Sequence, residues 1–341
     1  MKILTVTVPC YNSEAYMEKC IRSLLPGGED IEILIVDDGS TKDRTAQIAD
    51  AYAAKYPGIV RAIHQENGGH GEAVNTGIKN ASGLYFKVVD SDDWVGKKAL
   101  LEIIARLKQL EREKTPVDVF LTNFVYNKEG ARHKKVMRFG RVFPEEQIFT
   151  WSDVRHMKAT QYVLMHNLIY RTGLLRRCGL KLPAHTFYVD NIFAFQPYPY
   201  AKKLYYMDVD FYFYYVGRSD QSVNEEVMIR RIDQQIRVNE MMVDIMASQN
   251  FFGLDKNVKK YMYKYLNTVT TATNALLLAS GTEENLEKKR EFWRYIRRRS
   301  FPVYWHLRTS GMGIGLNLPG EFGRKIDVRG YKIARKMIGF N

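Results

Sequence analysis

Four times in its first hundred or so residues the chain repeats one unit, a short β-branched run followed by an amphipathic polar segment. Ile3 to Val8 precedes Glu14 to Leu25, Ile31 to Val36 precedes Asp43 to Lys55, Ile59 to His64 precedes Gly71 to Asn80, and Tyr85 to Val89 precedes Lys97 to Glu113. Continuous apolar strands separated by helices of this length require crossover connections. The expected fold class is therefore α/β, with a mainly parallel central sheet flanked by helices. In such sheets ligands sit outside the strand C-terminal ends. Those ends carry Pro9-Cys10-Tyr11-Asn12, Asp37-Asp38-Gly39-Ser40, Gln65-Glu66-Asn67-Gly68-Gly69 and Asp90-Ser91-Asp92-Asp93, so one rim should hold the chemistry.

From about Val117 the pattern turns irregular and aromatic: strand-like Val117 to Tyr126, a basic stretch near Lys134 to Arg141, and Leu204 to Val216 with seven aromatic residues. These segments read as sheet extension and acceptor-side structure. After about Ser222 the period is helical, over Val223 to Ser248, Asp255 to Ala279 and Glu283 to Arg299, with breaks at Gly253 and Gly281. The expected organisation is an α/β domain over 1–222, with the repeating part over 1–115 and the irregular part over 116–222. A helical basic module follows over 223–341.

Composition narrows the class. With 341 residues, 45% hydrophobic and 26% charged, the chain is neither disordered nor fibrous. The three cysteines form no CxxC pair, which points to a reducing cytosol. No secretory h-region precedes Pro9, and the longest strongly apolar run, Ala275 to Ala279, is far short of the roughly 20 residues a bilayer span needs. The net charge of +13 calls for an anionic partner, and it is concentrated. Asn285 to Asn341 holds 14 Lys and Arg against four Asp and Glu.

Three carboxylates within Asp90-Ser91-Asp92-Asp93 repel one another unless a cation or hydrogen-bond donors compensate them. Hard divalent cations such as Mg²⁺ or Mn²⁺ choose such oxygens; a helix-capping acidic turn is the plainer alternative. In Val36-Asp37-Asp38-Gly39-Ser40-Thr41, Gly39 permits a tight turn. An Asp here could accept from the imide N–H of a base such as uracil, on which Tyr11 could stack.

Taken together, Val8-Pro9-Cys10-Tyr11-Asn12-Ser13-Glu14, Val36 to Thr41, Glu66-Asn67-Gly68-Gly69 with Asn75-Thr76-Gly77-Ile78, and Val89-Asp90-Ser91-Asp92-Asp93-Trp94 resemble, in order and spacing, the family 2 glycosyltransferases with the GT-A fold. The resemblance is firm to about residue 115 and weaker to about 222. It implies that Pro9, Tyr11 and Glu14 line a nucleotide pocket, Asp38 reads the uracil edge, Asp90 contacts the ribose, and Asp92 ligates Mn²⁺ or Mg²⁺ at the donor diphosphate. Asp93 would orient the loop.

The same resemblance puts Asp190 in the position of the general base, within Phe187-Tyr188-Val189-Asp190-Asn191, although Val189 replaces the usual Glu; capping of the next helix is its other reading. Asp208, Asp210 and Asp220 are weaker candidates. Arg218 either approaches the donor phosphates or pairs with a surface acid. His70 either contacts phosphate or packs at a helix start, and His166 is either a buried histidine or an acceptor ligand. Gly217-Arg218-Ser219-Asp220-Gln221-Ser222 replaces the processive QxxRW-like motif, which favours single-sugar transfer.

The implied partners are a nucleotide-sugar donor, a UDP-sugar by the uracil argument, and a glycan or lipid-linked glycan acceptor. Arg294 and Arg297 to Arg299 with Phe301, Tyr304 and Trp305, and the amphipathic segment Phe322 to Phe340, suit an anionic membrane surface. Localisation is thus expected to be cytoplasmic and peripheral on the inner face, and the helical part could pair with a second copy. Two alternatives stand beside this. A sugar-nucleotide nucleotidyltransferase lacks support because its glycine-rich loop with catalytic Arg and Lys is missing from Val8 to Glu14. A nucleic-acid-binding protein conflicts with an acidic rim that would repel a polyanion.

Overall fold

The computed structural model describes residues 1–128, 134–158, 161–216, 225–249, 253–315 and 317. The chain divides into two compact units, Met1–Val216 and Gly217–Asn341.

In the first unit the strands β1 (Leu4–Cys10), β2 (Ile31–Asp37), β3 (Val60–His64) and β4 (Tyr85–Val88) alternate with helices α1 (Met17–Leu24), α2 (Thr45–Lys55) and α3 (His70–Asn80). All four strands are parallel, with β1 between β2 and β4 and β3 outside β2. Every residue of β1 and β2 is buried, as strands covered on both faces must be. Gly77 lets α3 approach β1: a Cβ there would lie 2.2 Å from Thr7 Oγ1.

The sheet then extends as the aromatic pattern anticipates. After β5 (Trp94–Val95) and α4 (Lys97–Arg112) come β6 (Val119–Lys128), β7 (Lys135–Met137), β8 (Ile148–Phe149), β9 (Leu168–Arg171), α5 (Thr172–Arg177), α6 (Asp190–Phe195) and β10 (Leu204–Val216). The strand order is β3-β2-β1-β4-β9-β6-β10-β5. β9 runs antiparallel between β4 and β6, whereas β6 and β10 are parallel. Periodicity gave no sign of β9, which is only four residues long. β10 carries bulges between Tyr206 and Tyr212; these bend it so that Tyr212 and Phe213 also pair with β5.

The second unit consists of helices α7 (Glu225–Arg230), α8 (Ile232–Ser248), α9 (Lys256–Ala279), α10 (Glu283–Arg299) and α11 (Phe301–Thr309), with a short turn after them. The segment read as one helix from Val223 is broken at Arg231, whose φ/ψ of −105°/22° is non-helical. Neither Gly nor Pro marks that break. Asp255, Thr282 and Ser300 each accept from a backbone N–H in the first turn of α9, α10 and α11. Pro302 follows in the first turn of α11, where its missing N–H costs nothing. Arg218, Asp220 and the segment Phe322 to Phe340 lie outside the described residues. Among the described residues no helix is long and apolar enough to cross a membrane, and all three cysteines are free and buried.

Candidate active site

The order in which strands are added reverses at β1: the chain leads outward to β2 and β3 on one side and then returns to place β4, still parallel, on the other. A crevice opens at such a switch point. Register places Cys10 opposite Asp37 and Asp37 opposite His64, so the loops that follow start level with one another.

The loop acids are largely engaged in shaping this rim. Asp37 accepts from Ser40 N (3.0 Å) and lies 2.9 Å from His64 Nδ1. Gly39, at φ +72°, makes the turn beside it. Asp38 is buried: its carboxylate accepts from Gln65 Nε2 (2.7 Å), Gly68 N (2.9 Å) and Gly69 N (2.7 Å). In this conformation Asp38 acts on the rim through the glycine backbone it holds. Glu14 is bound by Arg44 through Nε at 2.8 Å and Nη2 at 2.5 Å. Pro9 is buried within β1, whereas the Tyr11 ring is 50% exposed at the mouth.

Directly beyond β4 the acidic turn folds back through β5 against β10. The Tyr212 hydroxyl donates to Asp93 Oδ2 (2.5 Å) and accepts from Asp90 N (3.2 Å), while Asp93 Oδ1 accepts from Tyr215 N (2.7 Å). Asp90 Oδ1 lies 2.8 Å from His70 Nε2, and its Oδ2 lies 3.9 Å from His166 Nε2. Burial alone would raise the Asp90 pKa, but the imidazoles of His166 and His70 outweigh it and hold the carboxyl well below the usual range. Asp93 goes the other way: burial, then the charges of Asp92 and Asp90, push its carboxyl up. Asp92 is only partly buried.

Beneath the turn lies a lysine in an otherwise apolar strand. Lys87 is fully buried, and its Nζ donates to the carbonyls of Met165 and His166 at 2.8 Å each, 4.9 Å from the centroid of the Tyr212 ring. Burial pushes its ammonium down to about 7 against the opposing pull of Asp90 and Asp93. His166 is thereby fixed among Tyr212, Tyr214 and Phe124, with ring centroids 4.6, 4.7 and 5.5 Å away.

Asp190 opens α6. Burial raises its carboxyl, the imidazoles of His166 and His70 partly counteract this, and Asp90 adds to the rise. The segment that carries it is tied to the donor-side rim. His185 N donates to Gly68 O (2.6 Å), and the Asn75 amide makes two hydrogen bonds to the Leu182 backbone. By contrast Asp208 and Asp210 are engaged by Arg138, at 2.9 Å each, and by Asn123.

Residues 5–174 match the model of the family described as Glycosyl transferase family 2. The chain belongs to this family. Among curated relatives, the glycosyltransferase EpsJ of Bacillus subtilis (strain 168) is 33% identical over 218 residues, 62% of this chain and 60% of EpsJ. The poly(ribitol-phosphate) beta-N-acetylglucosaminyltransferase TarS of Staphylococcus aureus (strain Mu50 / ATCC 700699) is 28% identical over 231 residues, 66% of this chain and 37% of TarS. The chain thus spans less than two thirds of either relative. A crystal structure of S. aureus TarS 1-349 with UDP-GlcNAc superposes with a TM-score of 0.55 at 20% identity, covering 98% of this chain and 92% of that one. The mannosyltransferase PcManGT of Pyrobaculum calidifontis, with GDP-Man and Mn²⁺, gives 0.51 at 16% identity over 98% and 86% of the two chains. These likenesses identify the fold as GT-A, as the family resemblance implied.

Within this family 2 chain, ligand atoms of Asp90, Asp93 and His166 all lie within 4.8 Å of one another. His166 Nδ1 is buried with no hydrogen-bond partner among the described residues. The two carboxylates suit Mn²⁺ or Mg²⁺, while an imidazole donor favours a transition metal such as Mn²⁺ over Mg²⁺, and a cation would relieve the repulsion from Asp92 and Asp90 that adds to burial in pushing Asp93 up. Sequence reasoning put the metal on Asp92 and did not find Lys87, Tyr212 or the Asn75–Leu182 tie. Lysine inside the run Tyr85 to Val89 was the signal for the first; the others are contacts across 107 residues or more.

Proposed function

We propose that this chain is a metal-dependent, inverting glycosyltransferase. It moves a sugar from a UDP-linked donor to a hydroxyl of a glycan or lipid-linked glycan in cell-surface polysaccharide synthesis. The observation that carries this reading is the convergence of the acidic turn, His70, His166 and Asp190 at the C-terminal rim of a GT-A sheet. The UDP assignment draws on TarS, whose structure holds UDP-GlcNAc, and on the exposed Tyr11 ring as a stacking surface for the base; the Asp38 carboxylate, engaged by Gln65, Gly68 and Gly69, serves the site through that backbone and not by reading the uracil edge.

Asp92, with Asp90, Asp93 and His166 beside it, would hold the cation. A bound Mn²⁺ or Mg²⁺ neutralises charge on the departing nucleoside diphosphate as a Lewis acid. Asp190 takes the proton of the acceptor hydroxyl as its oxygen bonds to the anomeric carbon. The bond from that carbon to the diphosphate oxygen breaks, and its electron pair leaves with the nucleotide. A carboxyl raised by burial is the stronger base for this step. Tyr11 offers its exposed ring to the base, Pro9 and Glu14 shape the pocket floor, and Asp38 presents the Gly68 and Gly69 backbone. Arg218 is assigned to the donor phosphates.

The catalytic domain is assigned to 1–222 and the basic module to 223–341. That module, with Arg297, Arg298 and Arg299 beside exposed Phe301 and Trp305, seats the protein on the anionic inner face of the membrane, where a lipid-linked acceptor would be found. The test is a thermal-shift panel of UDP, GDP, dTDP and CMP with and without Mn²⁺, on wild type and Asp92→Ala. Ligand at 100 times its dissociation constant stabilises by about 2.7 kcal/mol. A UDP shift that needs Mn²⁺ and is lost in Asp92→Ala is expected; no shift with any nucleotide overturns the reading.

A further inference from the structure

The second unit contains a groove of about 400 Å³ with cations on its walls. Lys289, Arg290, Arg294 and Arg297 come from one side of α10 and Arg308 from α11, and among the described residues no acid lines it. Glu287 pairs with Arg290 (2.6 Å) and with Arg294, so these two cations already have an acid. Arg308 is different. Its guanidinium lies 5.3 Å from the centroid of the Trp293 ring, and its Nη1 is buried with no hydrogen-bond partner among the described residues. A guanidinium donor out of water and unpaired is costly unless an acceptor comes to it, and a phosphate oxygen is the acceptor its fork geometry fits.

Next to these cations the surface is aromatic. Tyr304 lines the groove and meets Trp293 edge to face at 5.8 Å. On its other side Phe301 lies 6.1 Å away and stacks at 6.3 Å on Trp305. Phe301 and Trp305 are 56% and 59% exposed. A free phosphate would satisfy the cations and leave this aromatic pair in water. A phospholipid satisfies both, with its phosphate in the groove and its glycerol and upper acyl chain against the rings.

We propose that the α10–α11 groove is a discrete phospholipid headgroup site, with Arg308 and Arg297 on the phosphate and Phe301 and Trp305 in the interfacial layer. The proposal rests on the membrane-facing reading of this module and goes beyond it: a diffuse positive field binds a charged surface, whereas a built groove binds one lipid molecule.

The experiment uses the full chain in two arms. In the first, dihexanoyl-phosphatidylglycerol below its micelle-forming concentration is titrated calorimetrically, with inorganic phosphate as the comparison. In the second, the protein is sedimented with phosphatidylcholine vesicles with or without phosphatidylglycerol. The expected result is one-to-one binding of the soluble lipid, far tighter than phosphate, with affinity weakened about tenfold or more in Arg308→Gln and in Arg297→Gln. Arg298→Gln removes the same charge outside the groove and should bind as wild type. Arg297 is exposed, so its variant tests the site even if Arg308→Gln fails to fold.

Vesicle binding without binding of the monomeric lipid would overturn the groove and leave the membrane reading intact. Equal loss in Arg297→Gln and Arg298→Gln, or phosphate binding as tightly as the lipid, would also overturn the groove. Binding in neither arm would overturn both.

Discussion

The side-chain amide of Asn75 serves as a backbone partner for Leu182: its Nδ2 donates to the Leu182 carbonyl at 2.8 Å and its Oδ1 accepts from the Leu182 N–H at 2.9 Å. This ties α3, which begins at the donor rim, to the segment that leads into Asp190. Asn75→Ala leaves both groups of a buried residue unpaired, at about 1–3 kcal/mol each. A lowered Tm is expected, with sugar transfer falling more than nucleotide binding. Thermal unfolding and a separate nucleotide titration check the two effects.

Asp38→Asn should act on the donor side alone. The carboxylate accepts from two backbone N–H groups and Gln65, and an amide can supply only one acceptor oxygen to them. Loss of one charge-assisted bond, about 1.5–3 kcal/mol, should raise the KM for the donor roughly tenfold or more and leave the KM for the acceptor unchanged. Initial-rate kinetics with each substrate varied in turn decide this.

Asp190→Asn keeps shape and removes the base. Nucleotide thermal shifts should be retained while transfer falls by about 10²–10⁴-fold. Because burial raises the Asp190 carboxyl, the acidic limb of kcat/KM in wild type should lie above the ordinary carboxylate range, rising with pH as the base ionises. A variant that transfers at the wild-type rate would remove Asp190 from this role.

Lys87→Met tests the buried lysine. It keeps the chain length but leaves the Met165 and His166 carbonyls without their donor, which should cost about 1–3 kcal/mol per group. Since those carbonyls position His166, Mn²⁺ affinity measured by calorimetry should fall in the folded variant. Unchanged Mn²⁺ affinity would confine Lys87 to a structural role.

Acid stability should depend on Glu32. Burial opposes its charge, but Ser82 N (2.8 Å), Thr5 Oγ1 (2.7 Å) and Arg61 Nη1 (3.0 Å) more than compensate and lower its pKa. A depressed folded pKa contributes stability that is present above the unfolded value of about 4.3 and lost as pH falls through the folded one. Glu32→Gln should therefore be less stable than wild type at neutral pH, with the gap closing on acidification. Urea unfolding at a series of pH values measures it.

The sequence by itself determined the four strand–helix repeats, the rim at their strand ends and the family, because these follow from local periodicity and from turn chemistry confined to a few adjacent residues. It also marked Asp90, Asp92 and Asp190 as the acids to watch. What the side chains do there was decided by tertiary structure. Asp37 and Asp38 are adjacent and alike in sequence, yet one faces His64 and the other two glycine N–H groups. Asp90 and Asp93 stand three residues apart and shift in opposite directions, because at one His166 and His70 outweigh burial, while at the other burial and the charges of Asp92 and Asp90 act together. Lys87 finds its carbonyls 78 and 79 residues away. Charge and hydrogen bonding at these sites depend on neighbours brought together by the sheet order, and no window along the chain contains them.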